Sequence, residues 1–573
     1  MDDKRTLLAF LLVGLIFLLM PYYYEWMGLS PPPPEEQAVA PEQVSEAVAP
    51  ARLGEPETTR QEPTPAPVTT AAVVERGVGG QTDVIESPVT PTASRTVVMG
   101  SSVHRLEFST QGGVLVSAQL LDYRRPDGRQ VDLIPSGGQA LRVSLASETS
   151  DRVIDLRDLH FEPSVDSTWA TDGGEAVLTM RADLGDGRSI EKRVLVVDGE
   201  YGVRLEHRFR GITDGSIAYL HWDSGIDLAE REPKLDLQVM RVMSYFNDSL
   251  EELQVDEDEQ DSWEERGELR WAGVRNKYFM AALAPTGAGR HRIQMSGRPL
   301  IHEPYREYQF AFGRRVESGD ETWETLLYAG PLDLEKVEQY ESTLTRGLDL
   351  GFPVVRQIAE VLLLVFIAVH KFIPNYGWVI VLFGVVVKLL VYPLTHKSYE
   401  SAARMQELQP KLTALREKFK NDSQRLSQET MKLYKEEGVN PIGGCLPMLL
   451  QMPIFIAMYQ IFSATIELRQ APWMLWITDL SLPDEIDVAG FPFHLLPLLM
   501  ALAMFFQSRM TMKDPKQAAL VYVMPVVMVF IMWDFSSGLV LYWTVFNVLQ
   551  IGQQYLTNHL RQKKEAVVKT VRR

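Results

Sequence analysis

The sequence predicts a multi-domain membrane protein that combines an all-α transmembrane core with a large extracytoplasmic all-β sandwich domain. The core is an N-terminal anchor plus five helices. Charge is segregated along the 573 residues: polar and acidic sequence extends to about Glu341, and long apolar runs with short basic loops follow from about Gly351. Within the first half, short runs of alternating apolar and polar residues recur between turn signals. The net charge of −18 belongs mainly to that half and argues against a nucleic-acid-binding domain.

The N-terminus carries an apolar run that fits either a signal peptide or a membrane anchor. Lys4 and Arg5 precede an uncharged stretch from Thr6 to Met20, and large aromatics such as Trp26 follow it. Aromatic residues mark a membrane interface, whereas a cleavage site needs small residues, so we predict an uncleaved anchor over residues 1–28. Residues 29–94 are rich in Pro, Glu, Thr and Ala, which predicts a disordered linker.

Residues 95–345 are predicted to form the β-domain. Runs such as Val103 to Phe108 and Ile190 to Val197 alternate with period two, and turns such as Gly112-Gly113 separate them. This pattern is typical of an antiparallel β-sandwich or barrel. The acidic stretch from Glu251 to Glu268 is predicted to be a solvated loop rather than a docking surface for a partner.

We expect no metal, no cofactor and no covalent chemistry. Cys445 is the single cysteine, which excludes intrachain disulfides and cysteine-based metal sites. Four histidines of the β-domain are scattered, so we expect them to be exposed or satisfied rather than to bind a metal: His104, His160, His207 and His221.

Five apolar segments of the second half are predicted to span the membrane. Their ranges are 375–395, 441–467, 491–510, 519–535 and 538–558, and the last two are separated by a turn around Asp534. Basic residues crowd into segments 396–440, 511–518 and 559–573, whereas the loop 468–490 has only Arg469. The positive-inside rule therefore predicts cytoplasmic N- and C-termini. It holds only if segment 349–373 does not span, so we predict an interfacial amphipathic helix there, on the outer face.

The cytoplasmic segment 396–440 is predicted to be a helical hairpin. Apolar residues at three- and four-residue spacing form one stripe, which includes Met405, Leu408 and Leu412. Asn421, Asp422 and Ser423 supply turn and N-cap chemistry, and a second helix from about Gln424 ends before Gly438. The stripe either packs the two helices together or contacts apolar segments of other proteins, and the sequence leaves both open.

Polar residues fall inside the predicted spans. Lys388 lies eight residues before His396, about 12 Å from the cytoplasmic end of its helix. Gln451 lies inside the next span, and one face of the last span carries Trp543, Asn547, Gln550 and Gln554. No acidic residue lies at a depth that matches Lys388, which argues against an ion-coupled transporter. The set indicates a hydrated cavity open to the cytoplasm, with hydrogen bonding between helices as the alternative.

Several segments of the second half match sequence motifs of one family. The chain resembles the YidC/Oxa/Alb family of membrane protein insertases, in its long Gram-negative form. The motifs run in family order over about Leu350 to Gln562: Tyr392-Pro393-Leu394-Thr395, Leu408-Gln409-Pro410-Lys411, Asn440-Pro441-Ile442-Gly443-Gly444-Cys445, Gln451-Met452-Pro453-Ile454-Phe455, Glu467-Leu468-Arg469-Gln470-Ala471-Pro472 and Ser537-Gly538-Leu539-Val540-Leu541-Tyr542-Trp543.

The resemblance implies an insertase and chaperone, not an enzyme, that moves hydrophobic segments of newly made proteins into the bacterial inner membrane. It implies a hydrophilic groove lined by Lys388, Gln451, Tyr542, Trp543, Asn547 and Gln550, and client contact by Met405, Leu408 and Leu412. The implied partners are nascent membrane proteins, the Sec translocon with its accessory subunits, the ribosome and signal recognition particle pathway, and membrane lipid. The large domain is expected to be periplasmic and similar to sugar mutarotases. Lys388 stands where many members carry arginine, so the planar fork of a guanidinium is lost while the charge is kept.

Overall fold

A computed structural model of the chain describes residues 93–571 apart from 148–152, 213–214, 257–258, 288, 301–305, 318, 352, 421, 439–445, 489 and 512–517. The predicted anchor over residues 1–28 and nearly all of the predicted linker over 29–94 lie outside these residues. Cys445 and most of the predicted 511–518 loop do so as well.

The β-domain contains nineteen strands within its described residues. They are β1 (Thr96–Gly100), β2 (His104–Ser109), β3 (Val114–Arg124), β4 (Gln130–Asp132), β5 (Ala140–Ser147), β6 (Val153–Asp155), β7 (Glu162–Pro163), β8 (Ser167–Trp169), β9 (Glu175–Gly185), β10 (Arg188–Val197), β11 (Gly202–Arg210), β12 (Ser216–Trp222), β13 (Arg241–Phe246), β14 (Ser249–Leu253), β15 (Asp261–Arg275), β16 (Phe279–Pro285), β17 (Arg290–Pro299), β18 (Arg306–Arg315) and β19 (Asp320–Pro331).

These strands form two layers, and the predicted β-sandwich is confirmed. One layer runs β8-β1-β2-β3-β5-β12-β18-β17, with β4 beside β3 and β6 beside β5. The other runs β7-β9-β10-β11-β19-β16-β15-β13-β14. All pairs are antiparallel except β1 with β8. Alternate side chains of β10 point inward, including Ile190, Val194 and Val196, as period-two alternation requires.

The acidic stretch from Glu251 to Glu268 is not the solvated loop that the sequence predicts. Most of it belongs to β14 and β15, and residues 261–268 of β15 pair with β17. The carboxylates occupy outward positions, while Gly267 and Leu269 are buried. The many charged residues made this strand resemble a loop in the sequence, because a strand with one solvent-exposed face tolerates acidic side chains on that face.

Helix α1 (Pro233–Leu237) lies within the β-domain, between β12 and β13. Two short helical segments, α2 (Leu334–Glu338) and a 3₁₀ turn (Ser342–Gly347), connect the β-domain to the second half. Asp333 caps α2 because its carboxylate accepts the backbone N–H groups of Glu335 and Lys336.

The second half is helical over its described residues. Its helices are α3 (Pro353–His370), α4 (Tyr376–Lys418), α5 (Ser423–Glu436), α6 (Leu446–Ala464), α7 (Leu495–Thr511), α8 (Ala518–Met532) and α9 (Ser537–Val571), with a 3₁₀ turn (Ile466–Leu468) and a hairpin of β20 (Ile486–Val488) and β21 (Phe491–Phe493). Over the part of the chain that the structure describes, none of these helices contains an apolar stretch that meets the length and charge limits for crossing a bilayer.

The helix boundaries differ from the predicted segments, and α9 continues past residue 558 to Val571, into the predicted basic tail. Helix α4 continues without a break past residue 395, so one 43-residue helix joins the predicted 375–395 segment to the first arm of the hairpin. Helix α7 begins at Leu495 rather than at 491, because residues 491–493 pair with β20. The turn between α8 and α9 lies at residues 533–536, and Asp422 caps α5 by accepting the N–H of Arg425.

The apolar core is continuous between the two halves. Buried side chains of the sandwich, such as Phe279 and Leu332, belong to the same cluster as Val355 and Phe366 of α3 and Ile461 of α6. Helix α9 packs against α4 and α7, and α3 packs against α6. The β-domain therefore rests directly on the end of the helical bundle that includes the start of α4.

Candidate functional site

Lys388 lies in the interior of the bundle, between α4 and α9. Only 6% of the residue is exposed, although it sits in an apolar stretch of its helix. Its Nζ donates a hydrogen bond to the side-chain oxygen of Gln550 and lies 4.4 Å from the centre of the Phe546 ring. None of the ion pairs among the described residues includes Lys388, so its ammonium donates a hydrogen bond to a neutral amide oxygen rather than to a carboxylate.

Gln451 and Tyr542 form a second polar contact, which joins α6 to α9. The Gln451 amide nitrogen on α6 donates to the Tyr542 hydroxyl on α9 over 3.3 Å. Tyr542 is 1% exposed, and its ring lies 6.1 Å from the ring of Phe546, which also contacts Lys388. The structure therefore brings Lys388, Gln451, Tyr542 and Gln550 into one cluster that spans α4, α6 and α9.

Trp543 and Asn547 line the same helix but differ in their contacts. The Trp543 ring is half-buried and meets the Phe455 ring of α6 edge to face at 4.3 Å. Asn547 is 5% exposed, and its Nδ2 group has no hydrogen-bond partner among the described residues. A buried amide donor without a partner is costly, which suits a place where water or a passing polar group supplies the acceptor.

Phe546 is the site residue that sequence reasoning missed. It supplies the ring face beneath the Lys388 ammonium, an arrangement that stabilises a buried cation. An aromatic residue in an apolar helix looks like ordinary core. The available signal was its spacing, because Tyr542, Phe546 and Gln550 are four residues apart and share one face of α9.

The predicted hairpin stripe is buried within the hairpin itself. Leu408 and Leu412 are 5% and 3% exposed and pack against Leu433 and Tyr434 of α5. Lys411 forms an ion pair with Glu437 across the two helices. Met405 lies in α4, and its side chain falls outside the described part of the structure. In this conformation the two leucines hold the hairpin together, as the packing alternative expects.

The β-domain buries several titratable groups at separate places. The Nε2–H group of His104 donates one 2.6 Å hydrogen bond to the carbonyl of Ala329, and burial lowers the pKa of His104 to about 4. Burial, aided by the charge of Lys192, lowers the pKa of His207 to about 3. Lys192 itself donates to the backbone carbonyls of Gly112, Gly113 and Leu141 at 2.8–3.0 Å, and burial lowers its pKa to about 7. These contacts are internal to the fold, and His160 lies apart at a half-buried bridge position.

Comparison with known proteins covers both halves of the chain. Residues 96–365 match the family model of the YidC periplasmic domain, and residues 368–565 match that of the 60Kd inner membrane protein. A membrane protein insertase YidC from Pelobacter propionicus is 31% identical over 575 residues, which cover 97% of this chain and 99% of the relative. One from Chlorobium luteolum is 32% identical over 495 residues, covering 82% of this chain and 84% of the relative.

Two solved structures are among those similar to parts of the chain. A crystal structure of an active YidC insertase with its first transmembrane domain resolved is 17% identical over 82% of this chain and 93% of that chain, with a TM-score of 0.36. A galactose mutarotase related enzyme from Lactobacillus acidophilus matches 41% of this chain and 97% of its own, with 9% identity and a TM-score of 0.28. On the identity and coverage of its sequence relatives, the chain belongs to the YidC family of membrane protein insertases, which are inner membrane proteins with a periplasmic domain and not enzymes.

Proposed function

We propose that the chain moves hydrophobic segments of newly made proteins from the cytoplasm into the inner membrane through a polar groove between α4, α6 and α9, and assists their folding and assembly. The observation that carries the proposal is Lys388, a buried cation whose hydrogen-bond partner is the neutral Gln550. A carboxylate partner would cancel the charge, whereas an amide leaves it able to attract an acidic client residue.

The proposal treats five helical segments of the second half as the transmembrane core. It is supported by large apolar side chains that remain exposed on the bundle surface, including Leu389 (67%), Leu390 (74%) and Phe530 (76%). Exposure to water would cost about 25 cal/mol per Å² of apolar area, and lipid removes that cost. With the basic segments in the cytoplasm, both termini are cytoplasmic, the β-domain is periplasmic, and α3 lies at the outer interface.

The mechanism follows from the balance of apolar and polar transfer. The polar flank of a client enters the groove, where Lys388 attracts its acidic groups and Asn547 offers a free amide donor. The apolar part of the client slides into lipid, which supplies the driving force at about 25 cal/mol per Å². An inside-negative potential adds about 2.3 kcal/mol per charge per 100 mV and favours the export of acidic tails.

The partners follow from charge and from the family. The basic tail Arg561 to Arg573 and the hairpin suit ribosomal RNA or anionic lipid, in the pathway of the ribosome and signal recognition particle. The chain acts alone or beside the Sec translocon and its accessory subunits. Client contact by Met405, Leu408 and Leu412 requires that α5 move away from α4, because Leu408 and Leu412 are buried between them.

Depletion and complementation in a bacterial host tests the groove. Wild-type, Lys388→Arg, Lys388→Ala and Lys388→Glu chains are compared for insertion of a small single-span client at matched expression. We expect the Lys388→Arg chain to insert the client and the Lys388→Glu chain to fail to insert it. Lys234→Glu is the matched control, because Lys234 is an exposed lysine of the β-domain, remote from the groove. Full insertion by all four Lys388 forms would refute the charged groove.

A further inference from the structure

A buried ion pair joins the β-domain to the loop that follows α6. Arg469 of this loop and Glu230 of the β-domain are 239 residues apart, yet their Nε and Oε1 atoms lie 2.6 Å apart. The two side chains are 3% and 2% exposed. A pair so deeply buried differs from the exposed pairs on the domain surface, such as Arg129 with Asp127, which contribute little.

A backbone carbonyl and two aromatic rings of the β-domain also contact the Arg469 guanidinium. Its Nη2 donates to the carbonyl of Ala229 over 3.1 Å. The Phe279 and Tyr278 rings lie 5.4 and 6.0 Å from its central carbon. Gln470, next in the chain, donates to the carbonyl of Arg124 over 3.0 Å and holds a left-handed backbone with a φ of 57°. A non-glycine residue adopts that conformation where its surroundings enforce it.

The same loop holds the first turn of α4, the helix that carries Lys388. Asn375, the N-cap of α4, donates its side-chain amide to the carbonyl of Pro472 over 3.1 Å. The Trp473 ring fills the space beside Gly377, where an added Cβ would lie 2.0 Å from a ring carbon. The indole therefore sets how the start of α4 sits against the loop.

The far end of the loop holds the first turn of α9, which carries Gln550. The N–H of Ser537 donates to Leu482 over 2.7 Å, and the N–H of Gly538 donates to Leu480 over 2.9 Å. The Ser537 hydroxyl donates to the carbonyl of Asp479 over 2.8 Å. Loop carbonyls thus satisfy donors that a helix start leaves without partners.

We propose that Arg469 is a positioning residue: its ion pair with Glu230 makes the β-domain fix the loop 466–484, which sets the spacing of α4 and α9 and so the Lys388–Gln550 contact. The inference rests on the proposed function for its consequence, insertion, but not for its geometry. It assigns the β-domain a role in shaping the groove, exerted from the opposite end of the bundle.

A disulfide between α4 and α9 reports that spacing directly. A Cβ at Gly384 would lie 3.9 Å from the Cβ of Val545, which is the separation that a disulfide needs. Gly384→Cys with Val545→Cys is built in a Cys445→Ser background, and oxidation is followed in membranes with the full-length chain. In that reporter we expect Glu230→Gln to slow disulfide formation by about tenfold, because Arg469 is left buried without its counter-charge. Asp127→Asn, which breaks an exposed pair, is the control and leaves the rate unchanged.

Client insertion is measured in parallel without the reporter cysteines. We expect Glu230→Gln to reduce it at wild-type protein level, with Lys388 intact. If the reporter with Glu230→Gln oxidises at the control rate, the inference is wrong, even when Lys388→Glu still abolishes insertion. If Lys388→Glu inserts normally while Glu230→Gln slows oxidation, the proposed function fails and the coupling stands. Should Glu230→Gln not accumulate, Arg469→Lys decides, because it keeps the charge but loses the guanidinium contact with the Ala229 carbonyl; an unchanged rate there overturns the inference.

Discussion

We propose that a lysine suffices at residue 388, because its partner Gln550 offers a single acceptor. A guanidinium would bring a planar fork that matches a carboxylate, but Gln550 presents one amide oxygen, and Lys388 reaches it with one of its three donors. The ring of Phe546 stabilises the ammonium from another side. The charge is thereby held in place without a counter-charge, and under the proposed function its remaining donors would serve a client.

Replacing Gln550 with glutamate tests whether the uncancelled charge matters. Gln550→Glu keeps size and reach but supplies a carboxylate to Lys388, so the pair becomes neutral and client attraction is lost. We expect insertion of an acidic-tailed client to fall about tenfold or more, since a charge-assisted contact is worth about 1.5–3 kcal/mol. Gln550→Asn is the matched control, because it keeps a neutral amide. Equal insertion by the Glu and wild-type forms would show that the charge of Lys388 plays no part.

Buried histidines make the β-domain sensitive to acid. The pKa of His104 is lowered to about 4 and that of His207 to about 3, in both cases by burial, from an ordinary 6.5. As pH falls below 6.5 the unfolded chain takes up protons that the folded chain refuses, so the free energy of unfolding decreases until the folded pKa is reached.

We therefore expect the free energy of unfolding of the full-length protein in detergent, from urea titrations, to drop between about pH 6.5 and about pH 4, by up to about 1.4 kcal/mol per histidine and pH unit. His207→Leu removes one of these sites and should make the dependence shallower. Tryptophan fluorescence follows the transition. A slope that His207→Leu leaves unchanged would assign the acid sensitivity to other groups.

At the scale of elements, the part of α4 inside the bundle is held more firmly than the hairpin that its distal part forms with α5. Helix α4 is anchored in the bundle by Val379, Ile380 and Phe383, all buried. Its distal part contacts α5 through a small separate cluster around Leu408 and Leu412. Few buried contacts mean low local stability, so the hairpin is the part of the described chain best suited to open for a client.

Leu412→Ala should loosen that hairpin selectively. Truncating a buried leucine costs about 2–5 kcal/mol, which is a large share of what so small a cluster contributes. We expect faster limited proteolysis near Phe419 and Lys420 in inside-out vesicles, with unchanged resistance of the β-domain. Leu415→Ala, in the same helix outside the buried cluster, is the control. Cleavage at the wild-type rate would mean that the cluster does not hold the hairpin closed.

The sequence predicted local features well and long-range pairings poorly. Period-two alternation predicted the sandwich, and Asp422 caps the helix that was predicted to begin beside it. Both predictions succeeded because each depends only on residues that are close in sequence. The acidic strand β15 was missed because its outward face carries most of the charge. The pairing of Arg469 with Glu230 was out of reach, since no periodicity connects residues 239 positions apart. The sequence predicted that Lys388, Gln451 and Gln550 line one cavity, and only the fold shows which of them touch.

At the scale of the whole molecule, the β-domain and the bundle share one apolar core. Leu344 and Leu350 of the connecting segment are fully buried, and they join sandwich residues such as Phe279 to Val355 and Phe366 of α3. Ion pairs cross the same boundary, including Lys371 with Glu335. Two domains joined only by a linker would have separate cores and would unfold independently.

Shared burial predicts that the two halves unfold together. In detergent, we expect tryptophan fluorescence, which reports on both halves, and the helical far-ultraviolet signal to be lost at one shared midpoint, because opening either half exposes the core of the other. Phe366→Ala should lower both midpoints together and reduce the free energy of unfolding by about 3–5 kcal/mol. The Phe366 ring contacts the rings of Tyr376, Phe383 and Phe462. Leu390→Ala, at a side chain exposed on the bundle surface, is the matched control and should move neither. Two separate transitions in the wild-type chain would mean that the continuous core does not couple the domains, and the groove would then keep its shape without help from the periplasmic side.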